Sequence, residues 1–118
     1  MIFHIVKRGD WQQALDRRRY EPPSLAAEGF IHCSTLTQTL DTANRLFRGQ
    51  TDLLLLYIDP EAVAGPLEWE PPADPGDERQ AEIFPHLYGA LNLDAVVQAV
   101  PFPCDPDGSF RWPQTVLT

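Results

Sequence analysis

Proline limits this chain more than any other residue. Of its 12 prolines, only Pro22 and Pro23 precede residue 60. Proline fixes φ and donates no N–H, so it interrupts both helices and ladders. The first half is therefore predicted to hold the long regular elements, and the second half short strands joined by loops. At 118 residues and 43% apolar content, the chain reads as one domain with a core that needs no metal or disulfide staple. Cys33 and Cys104 form no CxxC pair and no spaced framework, so both are expected to be reduced. No run approaches the ~20 apolar residues of a membrane span. The start, Met1-Ile-Phe-His-Ile-Val6, is too short for a secretory signal. A cytoplasmic location is the resulting expectation.

Ile2–Val6, β-branched and aromatic, reads as a strand. Asp10 is placed as the N-cap of a helix, with Gln13 at capping-box spacing and Trp11, Ala14 and Leu15 as its apolar face, ending near Arg17–Arg19. Residues 20–24 are expected to be loop. Gly29 opens a strand over Phe30–Cys33. Ser34 or Thr35 caps a second helix, whose apolar positions Leu36, Leu40, Ala43 and Phe47 have helical spacing; Gly49 ends it. Residues 52–58 include an unbroken apolar run, the mark of a strand covered on both faces. Leu67–Glu70 alternates as a strand with one wet face. Phe84–Tyr88 and Ala95–Phe102 complete the strands, with a turn at 91–94. Pro85 predicts an edge strand or a bend. The order β-α-β-α-β followed by strands describes an α+β domain over 1–102. Residues 103–118 form a tail whose Phe110 and Trp112 pack on it.

Charge is unevenly placed. Residues 1–58 are net +1, residues 59–82 net −7 and residues 83–118 net −2, which gives the total of −8. Such a chain lacks the basic field of a non-specific nucleic-acid binder. Within 71–80, Pro71, Pro72 and Pro75 deny a continuous ladder and Ala73 is the sole apolar side chain. That segment is expected to be an exposed, solvated, mobile loop.

All three histidines, His4, His32 and His86, fall in predicted strands, and they converge if those strands are neighbours. Two motifs stand out. In Glu28-Gly29-Phe30-Ile31-His32-Cys33-Ser34, alternation puts Phe30, His32 and Ser34 on one face. His32 then lies beside a helix N-terminus, where N–H groups and the dipole favour an anion. In Phe84-Pro85-His86-Leu87-Tyr88-Gly89, Phe84, His86 and Tyr88 share a face. Glu68 and Glu70 share the polar face of their strand. Each of these features also has a plain structural reading, as packed rings and solvated carboxylates. No HxH, HxxxH or HExxH spacing points to a metal, and no Gly-rich phosphate loop is present.

The segments FHIV, GFIHCS, LLLLYID and FPHLYG, in that order, resemble a family of small bacterial proteins, domain-of-unknown-function family 952. A wider resemblance links the chain to RNA 2′-phosphotransferases and the ADP-ribosyltransferase superfamily. It rests on Phe3-His4-Ile5, Ile31-His32-Cys33-Ser34 and Leu56-Tyr-Ile58-Asp59-Pro60. That resemblance implies a split, bent pair of small sheets with two main helices, and NAD as ligand or substrate. It implies that His4 contacts a ribose of the ligand, that His32 lies at its phosphate or nicotinamide end, and that Glu70 stands for the catalytic glutamate, with His86 as the alternative. Together with the motifs, the expected site has His32, His86 and Glu70 as catalytic groups and His4, Phe30, Ser34, Tyr88 and Arg19 as ligand contacts. The chain departs from the superfamily at Ile5-Val6, where small residues let a ligand approach the backbone. The expected function is an enzyme acting on an NAD-like or phosphorylated nucleotide ligand by ADP-ribosyl or phosphoryl transfer. A non-catalytic ligand-binding module and a structural or interaction protein are the alternatives.

Overall fold

The apolar run of the first half becomes the middle of a sheet. The protein is described by a computed structural model over residues 1–113. Strand β3 (Leu53–Ile58) lies between β1 (Ile2–Lys7) and β6 (Val96–Pro101), antiparallel to both. Period-two alternation then splits its side chains between two cores. Leu54, Leu56 and Ile58 join Ile2, Val6, Trp11, Ile31 and Leu87 on one side. Leu53 and Leu55 join Phe3, Ala43, Phe102 and Phe110 on the other.

Helix α1 (Arg8–Arg17) follows β1 directly. Lys7 is its N-cap, so Asp10 sits inside the first turn rather than capping it. There its charge still complements the helix dipole. Arg18, at φ 58°, ends the helix in the left-handed region. A second departure from expectation is α2 (Pro23–Glu28) in what reads as loop. Pro23 at the first helical position supplies a preset φ and lacks an N–H that would have no partner there. The helix buries none of its residues, so no apolar stripe announces it. Helix α3 (Leu36–Leu46) is capped by Thr35, and Gln38 Oε1 accepts the Thr35 amide at 3.1 Å in a capping box.

The second sheet has the order β2-β5-β4, all antiparallel: β2 (Ile31–His32), β5 (Phe84–Leu87) and β4 (Leu67–Glu70). Strand β5 is central, not an edge, despite Pro85. The Pro85 carbonyl accepts from Cys33 N at 3.1 Å, but its ring nitrogen has no hydrogen to return. The ladder stops there, which holds β2 to two residues. Beyond β5, Gly65 packs against the backbone so closely that a Cβ on it would lie 2.8 Å from Tyr88 O, and the facing Gly89 has φ 143°.

The sheets meet at one bridged pair. Phe3 N donates to Ser34 O and Ser34 N to Phe3 O, each at 2.8 Å. The C-terminal segment lies over the second core. Phe110 is buried, Trp112 packs edge-on to Phe3 at 5.3 Å, and Asn44 brackets the Phe110 amide and carbonyl. Among the described residues, no helix is long and apolar enough to cross a membrane.

Candidate functional site

A cleft of about 270 Å³ opens where the two sheets meet, walled by β1, α3, the 72–79 segment and the second sheet. Four of the eight residues picked out from sequence line it: His4, His32, Ser34 and His86. Phe30, Glu70 and Tyr88 surround His86 from outside the cleft. Arg19 lies apart, in a groove between α1 and α2, paired with Glu21 at 3.0 Å. The sequence alone placed it between two histidine strands; the turn after α1 carries it away from them.

His86 is the most constrained of these groups. It is 3% exposed, and its ring stacks on Phe30 with centroids 4.1 Å apart. Its Nδ1 lies 2.9 Å from Glu70 Oε1, and the Tyr88 hydroxyl donates to the same oxygen at 2.6 Å. A carboxylate only accepts, so Nδ1 carries the hydrogen and Nε2 of the neutral ring carries a lone pair. Nε2 has no hydrogen-bond partner among the described residues. It is not sealed in either, because the one sealed, unpartnered side-chain polar atom there is the Tyr57 hydroxyl. Burial pulls the His86 pKa below the ordinary histidine value, against the Glu70 hydrogen bond that raises it. The donors Tyr88 and His86 hold Glu70 below the usual carboxylate range, and Glu70 pushes the Tyr88 phenol up to about 12.

His4 is committed differently. Its Nδ1 donates to the His32 carbonyl at 2.6 Å, and its Nε2 accepts from the Tyr20 hydroxyl at 2.7 Å. Burial lowers its pKa to about 4, so the ring is neutral and both nitrogens are used inside the protein. His4 helps build the wall, and its ring has nothing left to offer a ligand. His32 lies at the mouth, exposed, its ring 5.5 Å from that of His86 and its Nε2 2.9 Å from Glu28 Oε1.

Arg79, the lone base of the acidic segment, is buried. This corrects the expectation that charge keeps the whole 71–80 segment in solvent. The Arg79 guanidinium grips Asp77 through Nε (3.0 Å) and Nη2 (2.8 Å), reaches Thr42 Oγ1 with Nη1 (2.7 Å) and lies over the Phe84 ring. The guanidinium holds the Asp77 carboxyl down at about 2. The segment is thus tied to α3 along one side of the cleft. Sequence reading missed Arg79, Thr42, Tyr20 and Glu28 as site residues. The only signal for the first was its isolation among acids. Among the described residues, no group of three or more His, Cys, Asp or Glu is placed to hold a metal ion.

Among the described residues, two antiparallel three-stranded sheets with three α-helices define a small mixed α+β domain. Residues 5–99 match a family described as a protein of unknown function, DUF952, and the chain belongs to that family. It is similar to CC0527 from Caulobacter crescentus. The crystal structure of that protein is 35% identical, with a TM-score of 0.80 over 93% of this chain and 92% of the other. Its solution NMR structure gives 35% identity and a TM-score of 0.76 over 93% and 90%. No curated protein matches the chain.

Proposed function

We propose that this protein is an enzyme acting on an NAD-like or phosphorylated nucleotide ligand bound at the seam of the two sheets, with His86 as its proton-transferring group. The observation that carries this reading is the His86–Glu70 pair. A carboxylate fixes the tautomer at Nδ1 and leaves an unshared pair on Nε2 at a cleft wall, the arrangement a general base requires. In ADP-ribosyl or phosphoryl transfer, Nε2 takes the proton of the acceptor hydroxyl as its oxygen bonds to carbon or phosphorus. The leaving group departs with the electrons of the broken bond. Glu70 acts here as a positioning residue: it lies off the cleft wall, and Tyr88 and His86 both bond its Oε1. The split sheets, with α1 and α3 as main helices, support an ADP-ribosyltransferase-like assignment of the fold; fold alone assigns no chemistry. A cavity of about 270 Å³ suits one end of a dinucleotide, since whole drug-sized ligands occupy ~300–1,000 Å³.

A non-catalytic binding module is the second reading. It is favoured by the commitment of His4 and Arg79 to partners inside the protein. A thermal-shift series with NAD, ADP-ribose and nucleotide phosphates tests both. A ligand at a hundredfold excess over Kd adds about 2.7 kcal/mol. Binding with turnover that is lost in His86→Ala supports the enzyme. Binding without turnover supports the module, and no shift with any of these ligands rejects both.

A further inference from the structure

We infer that the cleft recognises an uncharged heteroaromatic ring bearing an N–H donor, and leaves the phosphates of a nucleotide outside. This rests on the second reading, the cleft as a nucleotide-binding module, because an Nε2 that accepts a ligand N–H takes no proton from a hydroxyl, and it names which part of the ligand enters. The walls are built of Phe3, Ile5, Leu46, Phe47 and Phe84, flat and apolar surfaces that suit a ring. The one guanidinium on the wall is spent. Every nitrogen of Arg79 already donates to protein: Nε and Nη2 to Asp77, Nη1 to Thr42 and Asp41. Two carboxylates, Asp74 and Asp77, line the same cleft. A phosphate there would be desolvated beside these negative charges with no uncommitted cation to meet it, which is strongly unfavourable.

What the cleft does offer is an acceptor. His86 is almost wholly buried, its Nδ1 is engaged by Glu70, its ring face is covered by Phe30, and its Nε2 is unpartnered. A ring lacking a donor would take that acceptor out of water without replacing the bond. An amino or amide N–H would satisfy it. This reverses the expectation of an anion beside His32 and Ser34. The capping box of Thr35 and Gln38 already serves the start of α3, and the Ser34 hydroxyl points to Thr42 at 3.4 Å.

The test is a titration of the intact protein followed through its backbone amides. The probes are adenosine, nicotinamide, their N,N-dimethylated analogues, AMP, ribose 5-phosphate, pyrophosphate, ADP-ribose and NAD. Adenosine or nicotinamide is expected to shift the amides of Phe3, Ser34, Thr42 and Phe84. The matching dimethyl analogue should bind about tenfold more weakly, the size of one net hydrogen bond. Ribose 5-phosphate and pyrophosphate should leave those amides unmoved. A His86→Phe variant should lose the distinction between each ring and its dimethyl analogue. Because the analogue comparison is made on the unaltered protein, it holds even if that variant is poorly folded. Cleft binding of ribose 5-phosphate or pyrophosphate overturns the inference, as does equal binding of a ring and its dimethyl analogue. Either result leaves the nucleotide reading standing. Silence from every probe, ADP-ribose and NAD included, overturns both.

Discussion

His4 and His32 are joined through a main-chain carbonyl: the Nδ1–H of His4 donates to His32 O at 2.6 Å, across the seam between the two sheets. Tyr20 completes the arrangement by donating to His4 Nε2 at 2.7 Å. The folded state therefore requires a neutral His4. Its pKa of about 4 lies below the ordinary histidine value of 6.5. Between these values the unfolded chain binds a proton that the folded chain refuses, so stability falls as pH falls. The His4 contribution is fully present above pH 6.5 and gone below about 4, a loss on the order of 3 kcal/mol. Urea unfolding across this window should show the fall in the wild type, beyond what the carboxylates contribute. His4→Gln, which cannot titrate, should lack that component.

Tyr20→Phe is expected to cost ~1–3 kcal/mol, because it strips the donor from a buried acceptor. It should also move the acid limb of the stability curve to higher pH. Without the phenol hydrogen on Nε2, His4 protonates more readily. Unchanged acid behaviour in this variant would mean that the hydroxyl does not hold the tautomer.

Substitutions at the two cleft histidines on the second sheet should separate cleanly. His32 is exposed, and its one ion-pair partner, Glu28, is exposed as well. His32→Ala should therefore change stability by less than about 1 kcal/mol while weakening ligand binding. His86→Ala removes a ring stacked on Phe30 and leaves Glu70 short of a donor, with an expected cost of ~1–3 kcal/mol. Thermal melts of the two variants, each repeated with ADP-ribose, check both statements.

Arg79→Met should cost about 3 kcal/mol, the lower end for breaking a buried ion pair, because Asp77 keeps its charge and loses its partner. The Asp77 carboxyl should rise from about 2 toward the ordinary range. Hydrogen exchange at residues 72–78 should accelerate, since the tie to Thr42 is gone. Protection equal to wild type would show that the segment is held by something other than Arg79.

Much of this arrangement was readable from periodicity. The unbroken apolar run in 52–58 gave a central strand covered on both faces, and the spacing of Leu36, Leu40, Ala43 and Phe47 gave α3. Alternation put Phe84, His86 and Tyr88 on one face. What periodicity does not carry is pairing between distant segments. His4 meets Tyr20, and Arg79 meets Thr42, only because the strands bring them together. Pro85 misled for a local reason. Its missing donor faces the short strand, where one lost bond ends a ladder of two residues instead of breaking a long one. Helix α2 was hidden because a six-residue helix with no buried face leaves no apolar period.

The seam between the sheets has a mechanical consequence. Strand β1 is tied to residues 32–34 by two main-chain hydrogen bonds and one from a side chain, whereas within each sheet the strands are zipped along a ladder. That short joint is backed across the cleft by Gln38 of α3, which donates to Ile83 O at 2.8 Å, and by Arg79 on Thr42 at 2.7 Å, so the position of α3 over the second sheet rests on a few discrete polar ties. When His4 takes up a proton on Nε2, the bond that loses its acceptor is the one from Tyr20, while Nδ1–H keeps its hold on His32 O, so acid loosens the support behind the seam before the seam itself.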